Sequence, residues 1–186
     1  MREIVALMGL RWAGKTMIGN VLAKSMGKRF VDLDQRIEQE VGMTIKDYVG
    51  IYGFPAFRKL EQETLKKVVT EDVDTILSLW GGTLTFEEVM YDWKKISREV
   101  SQQILHNAQA TLVLIDVERE ELINRLTQDT QRPRLRSWDT VEQEVEYLFS
   151  SRDGVQRELA DVIIMSQPKV IDTLELLEKR LKISVE

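Results

Sequence analysis

The chain of 186 residues has no cysteine, a single histidine and no apolar run approaching the ~20 residues that a membrane-spanning helix needs. Without thiols, disulfides and thiolate metal sites are excluded, which suits the cytosol. The one histidine, His106, falls at the polar end of a helical stretch and reads as surface rather than as a catalyst. Positive charge is also in short supply. There are 26 Lys and Arg against 31 Asp and Glu, for a net charge of -5, and the pI is about 5.2. That balance argues against a general nucleic-acid binder or an anionic-membrane binder. The opening "MREIVALMGLRW" holds only a short apolar run, broken by Arg11, so no signal peptide is expected. No repeat, low-complexity tract or Pro/Gly/Ser linker divides the sequence. With 43% hydrophobic residues it can bury a real core. The expectation is one cytoplasmic domain over residues 1–186, acting as a monomer, with no nucleic-acid or membrane partner.

What the chain does have is an alternation. Short runs rich in Ile, Val and Leu predict buried strands at Glu3–Met8, Phe30–Leu33, Thr75–Leu79, Thr111–Asp116 and Asp161–Met165. They lack a polar/apolar alternation, as strands covered on both faces must. Helical spacing is clearest over Lys15–Met26, Phe57–Val69, Glu87–Leu105, Glu118–Leu126, Val141–Phe149 and Val170–Leu181. Strands alternating with helices predict an α/β fold, a parallel sheet with helices on both faces, whose ligands sit at the carboxyl ends of the strands. The polar, arginine-bearing segment Thr127–Asp139 is the candidate for a mobile lid.

Between the first strand and the first helix stands "GLRWAGKT", Gly9 to Thr16. It fits the phosphate-loop pattern Gly-x-x-x-x-Gly-Lys-Thr in full and in the right context. The glycines let backbone N–H groups converge on phosphate oxygens at a helix N-terminus, where the helix dipole favours negative charge. Lys15 is placed to neutralise β- and γ-phosphates, and the Thr16 hydroxyl to ligate Mg²⁺. The Asn-Lys-x-Asp motif of a GTPase is absent, and a mechanical ATPase needs more chain. A small-molecule kinase remains.

Two carboxylates, Asp32 and Asp34, end the second strand on the same side, so one can face metal while the other faces substrate. Alternatively Asp34 caps the helix Gln35–Val41. Arg58 begins a helix, where the dipole disfavours a cation unless an anion sits there. Asp116, at the end of "LVLID", is read as a cap for the helix near Glu118. The run "EREE" at Glu118–Glu121 is read as a solvated face.

These residues resemble the shikimate kinase family. The resemblance is carried by "GLRWAGKT", "FVDLD" (Phe30–Asp34), "AFRKLE" (Ala56–Glu61), "WGGT" (Trp80–Thr83) and "QRPRL" (Gln131–Leu135), with a looser sixth stretch, "SSRDGVQRELAD" (Ser151–Asp161). It implies a three-layer phosphate-loop kinase fold with a five-stranded sheet ordered 2-3-1-4-5. It also implies ATP and Mg²⁺ as cofactors, shikimate as acceptor, a lid about 127–139 and an acceptor-binding segment about 34–61. By resemblance, Gly9, Trp12, Ala13, Gly14, Lys15, Thr16 and Met17 surround the nucleotide phosphates. Arg125 and Pro168 sandwich the adenine, and Arg132 closes from the lid. Asp32 joins Thr16 at the metal. Asp34 binds the acceptor's hydroxyls and accepts a proton. Arg58 and Arg152 clamp its carboxylate, Gly81 and Gly82 complete the cup, Phe57 packs on the ring, and Glu61 orients Arg58. The catalytic set is Lys15, Asp34 and Arg132.

The chain departs from the family where Trp12 replaces a glycine, Met17 a hydroxyl residue and Trp80 the first of three glycines. Gly154-Val155-Gln156 stands for the usual Pro-hydrophobic-Tyr, and the stretch from Thr83 to Thr111 is longer than usual. With strands 1 and 3 as neighbours, Trp12 and Trp80 are expected on one rim of one pocket. There they either remodel the acceptor side or fill space under the longer helix. The alternatives carried forward are a kinase of another small hydroxy acid such as gluconate, and a binding or regulatory module without turnover.

Overall fold

The computed structural model describes residues 2–84, 92–128 and 140–181, with the backbone alone for 92–97. Five strands form one sheet: β1 (Ile4–Met8), β2 (Arg29–Asp32), β3 (Thr75–Ser78), β4 (Thr111–Asp116) and β5 (Val162–Met165). All neighbours pair in parallel, and their order is β2-β3-β1-β4-β5. The predicted topology is the observed one. The helices are α1 (Lys15–Ser25), α2 (Leu33–Val41), α3 (Ile45–Thr70), α4 (Asp92–Asn107), α5 (Arg119–Gln128), α6 (Val141–Leu148), α7 (Gly154–Leu159) and α8 (Val170–Leu181).

The sheet sorts side chains by the two-residue period of a strand. Along β1, Val5 and Leu7 enter one core, with Ile18 and Leu22 of α1, Leu122 of α5, Val145 of α6 and Leu177 of α8. Ile4, Ala6 and Met8 enter the other, with Ile37 of α2, Phe57 and Leu65 of α3, and Leu105 of α4. β1 and β3 are buried throughout. The expectation that every strand is covered on both faces fails at the sheet edge. In β5, Ile163 is 42% exposed and Met165 is exposed too, because β5 has a neighbour only on its β4 side.

Two helices differ from their sequence pattern. α3 begins at Ile45, twelve residues before the predicted Phe57, because two helices abut at a kink where Gly53 takes φ 80. Gly50, Gly53 and Pro55 read as breakers, yet Gly53 absorbs the bend and Pro55 lies in the first turn after it, where its missing N–H costs nothing. Between α6 and α7, Phe149–Asp153 forms a π-helical turn. Of the lid, residues 129–139 lie outside the described residues, and Arg132 with them. The described part of α4 begins at Asp92.

Candidate active site

The phosphate loop leaves β1 at its carboxyl end. Gly9 has φ 150, and a Cβ there would lie 2.4 Å from the carbonyl oxygen of Ile115, so only glycine fits. Gly14, at φ 93, begins α1 with no side-chain cap, leaving the first-turn N–H groups for an anion. Lys15 Nζ lies folded over the loop and donates to the carbonyls of Gly9 and Leu10, each at 2.9 Å. Ala13 is fully buried, so its side chain is not open to a ligand. Met17 is 61% exposed. Trp12 adopts φ 65, a left-handed conformation that costs a non-glycine residue about 1–3 kcal/mol. Its ring packs on the α1 side of the core and carries the Arg11 guanidinium 4.1 Å above its centroid.

At the end of β2, Thr16 Oγ1 donates to Asp32 Oδ2 at 2.8 Å, bringing two hard oxygen donors together. Asp32 Oδ1 accepts from the N–H groups of Asp34 and Gln35 and caps α2. The cap is therefore Asp32, and Asp34 is the second residue of the helix. Asp34 Oδ1 is buried with no hydrogen-bond partner among the described residues. Burial first, then the Asp32 and Glu61 carboxylates, push its pKa up to about 7, against the opposing pull of Lys15. That is the range of a group able to take a proton at neutral pH.

A second cluster lies just past β3. Glu61, 0% exposed, accepts from Arg58 Nη1 at 2.6 Å and from Thr83 Oγ1 at 2.7 Å. Arg58 is thus aimed from behind by a buried carboxylate. Arg152 is 3% exposed. It lies within the π-helical turn Phe149–Asp153. A Cβ on Gly82 would lie 3.0 Å from Arg58 Nη2, and one on Gly81 would lie 3.2 Å from Arg152 Nη1. The Gly81 Cβ would also lie 3.5 Å from the Gly9 carbonyl. The two arginines therefore meet the Gly81–Gly82 backbone where it touches the phosphate loop. Phe57 is fully buried and meets Trp80 edge-on, with centroids 5.7 Å apart. An acceptor ring would meet what covers Phe57, not Phe57 itself.

Across the sheet, Arg125 Nη1 donates to the Trp12 carbonyl and to Ser166 Oγ, both at 3.2 Å. It ties the phosphate loop to the segment after β5, in which Pro168 is exposed. Asp116 does not serve as the expected helix cap. It accepts from Val117 N at 2.9 Å and from Arg157 at 2.8 Å. Nor do the tryptophans share a rim: Trp12 packs into the α1-side core and Trp80 into the α3-side core. In the sequence, Gln156 stood out only as part of a departure from the family pattern, with no role assigned. It is 2% exposed, and its Nε2 reaches the Gly81 carbonyl at 3.4 Å. The available signal was its position four after Arg152, one helical turn on.

A family model described as shikimate kinase matches residues 11–182. Shikimate kinase 2 of Photorhabdus laumondii is 32% identical over 167 residues, covering 88% of this chain and 87% of that protein. Shikimate kinase 2 of Dickeya chrysanthemi is 30% identical over 182 residues, with 96% of each covered. Among solved structures, the shikimate kinase from Acinetobacter baumannii in complex with shikimate superposes with a TM-score of 0.79. It is 25% identical, and the match covers 98% of this chain and 94% of that one.

Proposed function

This chain belongs to the shikimate kinase family, and on that premise we propose that it uses ATP to phosphorylate shikimate to shikimate 3-phosphate, a step of aromatic amino-acid biosynthesis in the cytoplasm. The observation that carries the reading is the meeting at Gly81. There the Gly9 end of a complete phosphate loop adjoins a guanidinium aimed at the same point.

In this reading Lys15 leaves the Gly9 and Leu10 carbonyls to neutralise the β- and γ-phosphates, which enter on the N–H groups at the start of α1. Thr16 Oγ1 and Asp32 Oδ2 fit a Mg²⁺ ion, which prefers a few protein oxygens alongside water and phosphate. Bound there, the ion would offset charge on the transferring phosphoryl group. Arg58 and Arg152 hold the acceptor carboxylate, since a planar fork donates paired hydrogen bonds to it. Asp34 accepts the proton of the attacked hydroxyl as its oxygen bonds to the γ-phosphorus. The bond from that phosphorus to the bridging oxygen breaks, releasing ADP. Positioning and charge neutralisation supply the rate. Arg132 would close from the lid, while Arg125 and Pro168 flank the adenine. The chain works as a monomer.

A coupled assay of ADP release with shikimate and gluconate as separate acceptors tests this. Turnover is expected with shikimate and Mg²⁺. Equal rates with gluconate, or none with either, would sink it.

A further inference from the structure

We infer that Trp80 is a positioning residue for the carboxylate clamp, its indole bracing the guanidinium groups of both Arg58 and Arg152. The inference rests on the proposed role of those two arginines. Trp80 lies two residues beyond β3, and the chain is pinned just before it by Leu79 N–H donating to Leu7 O at 2.9 Å. The indole's placement is therefore set by the sheet itself. Its side chain turns toward α3, where Phe57 meets it at an interplanar angle of 81°. The Arg58 Cζ lies 4.5 Å from the indole centroid and the Arg152 Cζ lies 5.9 Å from it. Both are within the distance at which a ring's negative face attracts a cation.

The two arginines come from elements far apart in sequence, α3 and the π-helical turn, and both carry positive charge. Glu61 neutralises and aims Arg58. One indole within reach of both gives them a common reference, and its electron-rich face offsets part of their mutual repulsion. Gly82 makes room for this. A Cβ there would lie 3.0 Å from both Arg58 Nη2 and Trp80 Cζ3, so a side chain would drive indole and guanidinium apart. Trp80 is thus more than filler under the following helix. It sets where the clamp can hold an anion.

The test compares Trp80→Phe, which keeps an aromatic face, with Trp80→Leu, which keeps apolar bulk without one. KM for shikimate should rise about 3- to 30-fold in Trp80→Leu, with kcat changed much less, and Trp80→Phe should recover most of the loss. ADP affinity should hold in both. Equal KM values for the Phe and Leu variants would overturn the brace. Should Trp80→Leu fail to fold, fluorinated tryptophan placed site-specifically at position 80 weakens the ring's negative face with little change in its shape. KM should then climb with each added fluorine, and a flat series overturns the inference. A wild type silent toward shikimate would instead sink the substrate assignment, and the brace with it. That outcome is distinct from an active enzyme whose KM ignores position 80.

Discussion

The nucleotide half and the acceptor half of this site are built on different principles. Around the phosphate loop, the functional groups are neighbours in sequence. The backbone does most of the binding, and Lys15 rests on carbonyls of its own loop. Around Gly81 and Gly82, the groups arrive from α3, the segment after β3 and the π-helical turn, and they are held by one another. Arg58 leans on Glu61, Glu61 on Thr83, and both arginines on Trp80. A backbone cradle tolerates a side-chain change such as Trp12 at a strain of about 1–3 kcal/mol. A mutually supported clamp does not tolerate the loss of a member, because each loss strands a buried partner.

Substitution should separate the halves. Lys15→Ala is expected to lower turnover by about 10³-fold or more, since phosphoryl transfer depends on neutralising phosphate charge, and to weaken ADP binding by calorimetry. Unchanged ADP affinity would refute its role. Arg152→Ala should leave ADP affinity nearly intact while weakening acceptor use by roughly 30- to several-thousand-fold. Arg58→Ala should do the same, and also destabilise the fold by stranding Glu61, a loss that pairing it with Glu61→Gln should reduce. Lysine should rescue either position poorly. An acceptor whose carboxylate is replaced by an amide should be used far less well by wild type than shikimate itself. Equal use would show that the carboxylate is not what the clamp reads.

Asp34 sits where the two halves meet, and its protonation ties them to pH. Its folded-state pKa, about 7, lies above its ordinary value of 3.8. Between those values the folded state holds a proton that the unfolded chain has lost. This group therefore subtracts stability progressively as pH rises through that window, and the loss levels off above about 7. Asp34→Asn should then stabilise the protein at pH 8 by on the order of 2–4 kcal/mol, with no gain near pH 3, while abolishing most turnover. Urea denaturation at the two pH values checks this. A gain equal at both would mean the carboxylate is not held neutral by its surroundings.

The difference between the halves also governs what the sequence disclosed. The phosphate loop is a local pattern, so Gly9, Gly14, Lys15 and Thr16 were readable from eight residues. Asp32 was readable as an acid ending a strand, though not as the cap of α2. Which of two nearby acids caps depends on where the helix starts, and that boundary is not written in the periodicity. The sheet order and the clamp came from the resemblance, since no spacing rule brings Arg58 and Arg152 together. The first half of α3 was hidden by Gly50, Gly53 and Pro55, whose breaker signals mark a kink between helices rather than a loop. The π-helical turn in which Arg152 is buried has no composition signal. Trp12 and Trp80 were expected together because both follow neighbouring strands. The structure packs the Trp12 indole, on a backbone of left-handed φ, against the core opposite that of Trp80.

That separation of the tryptophans yields the smallest effect and the sharpest test of the two-halves picture. Trp12 lies in the loop whose carbonyls Lys15 must release when phosphate arrives, and its own carbonyl accepts from Arg125. Trp80 lies between the clamp arginines. ADP should therefore change the emission of Trp12, and shikimate that of Trp80, over a background from Trp93 and Trp138. Trp12→Phe should remove the ADP response and spare the shikimate response, and Trp80→Phe should do the reverse. Each substitution keeps an aromatic ring, so affinity should shift little and the missing signal can be read at saturating ligand. Were both responses to vanish with either substitution, the indoles would report one shared pocket, and the two halves would not be independent. A shikimate response lost only in Trp12→Phe would place the acceptor on the α1 side of the sheet, away from Arg58 and Glu61, and the clamp assignment would fall.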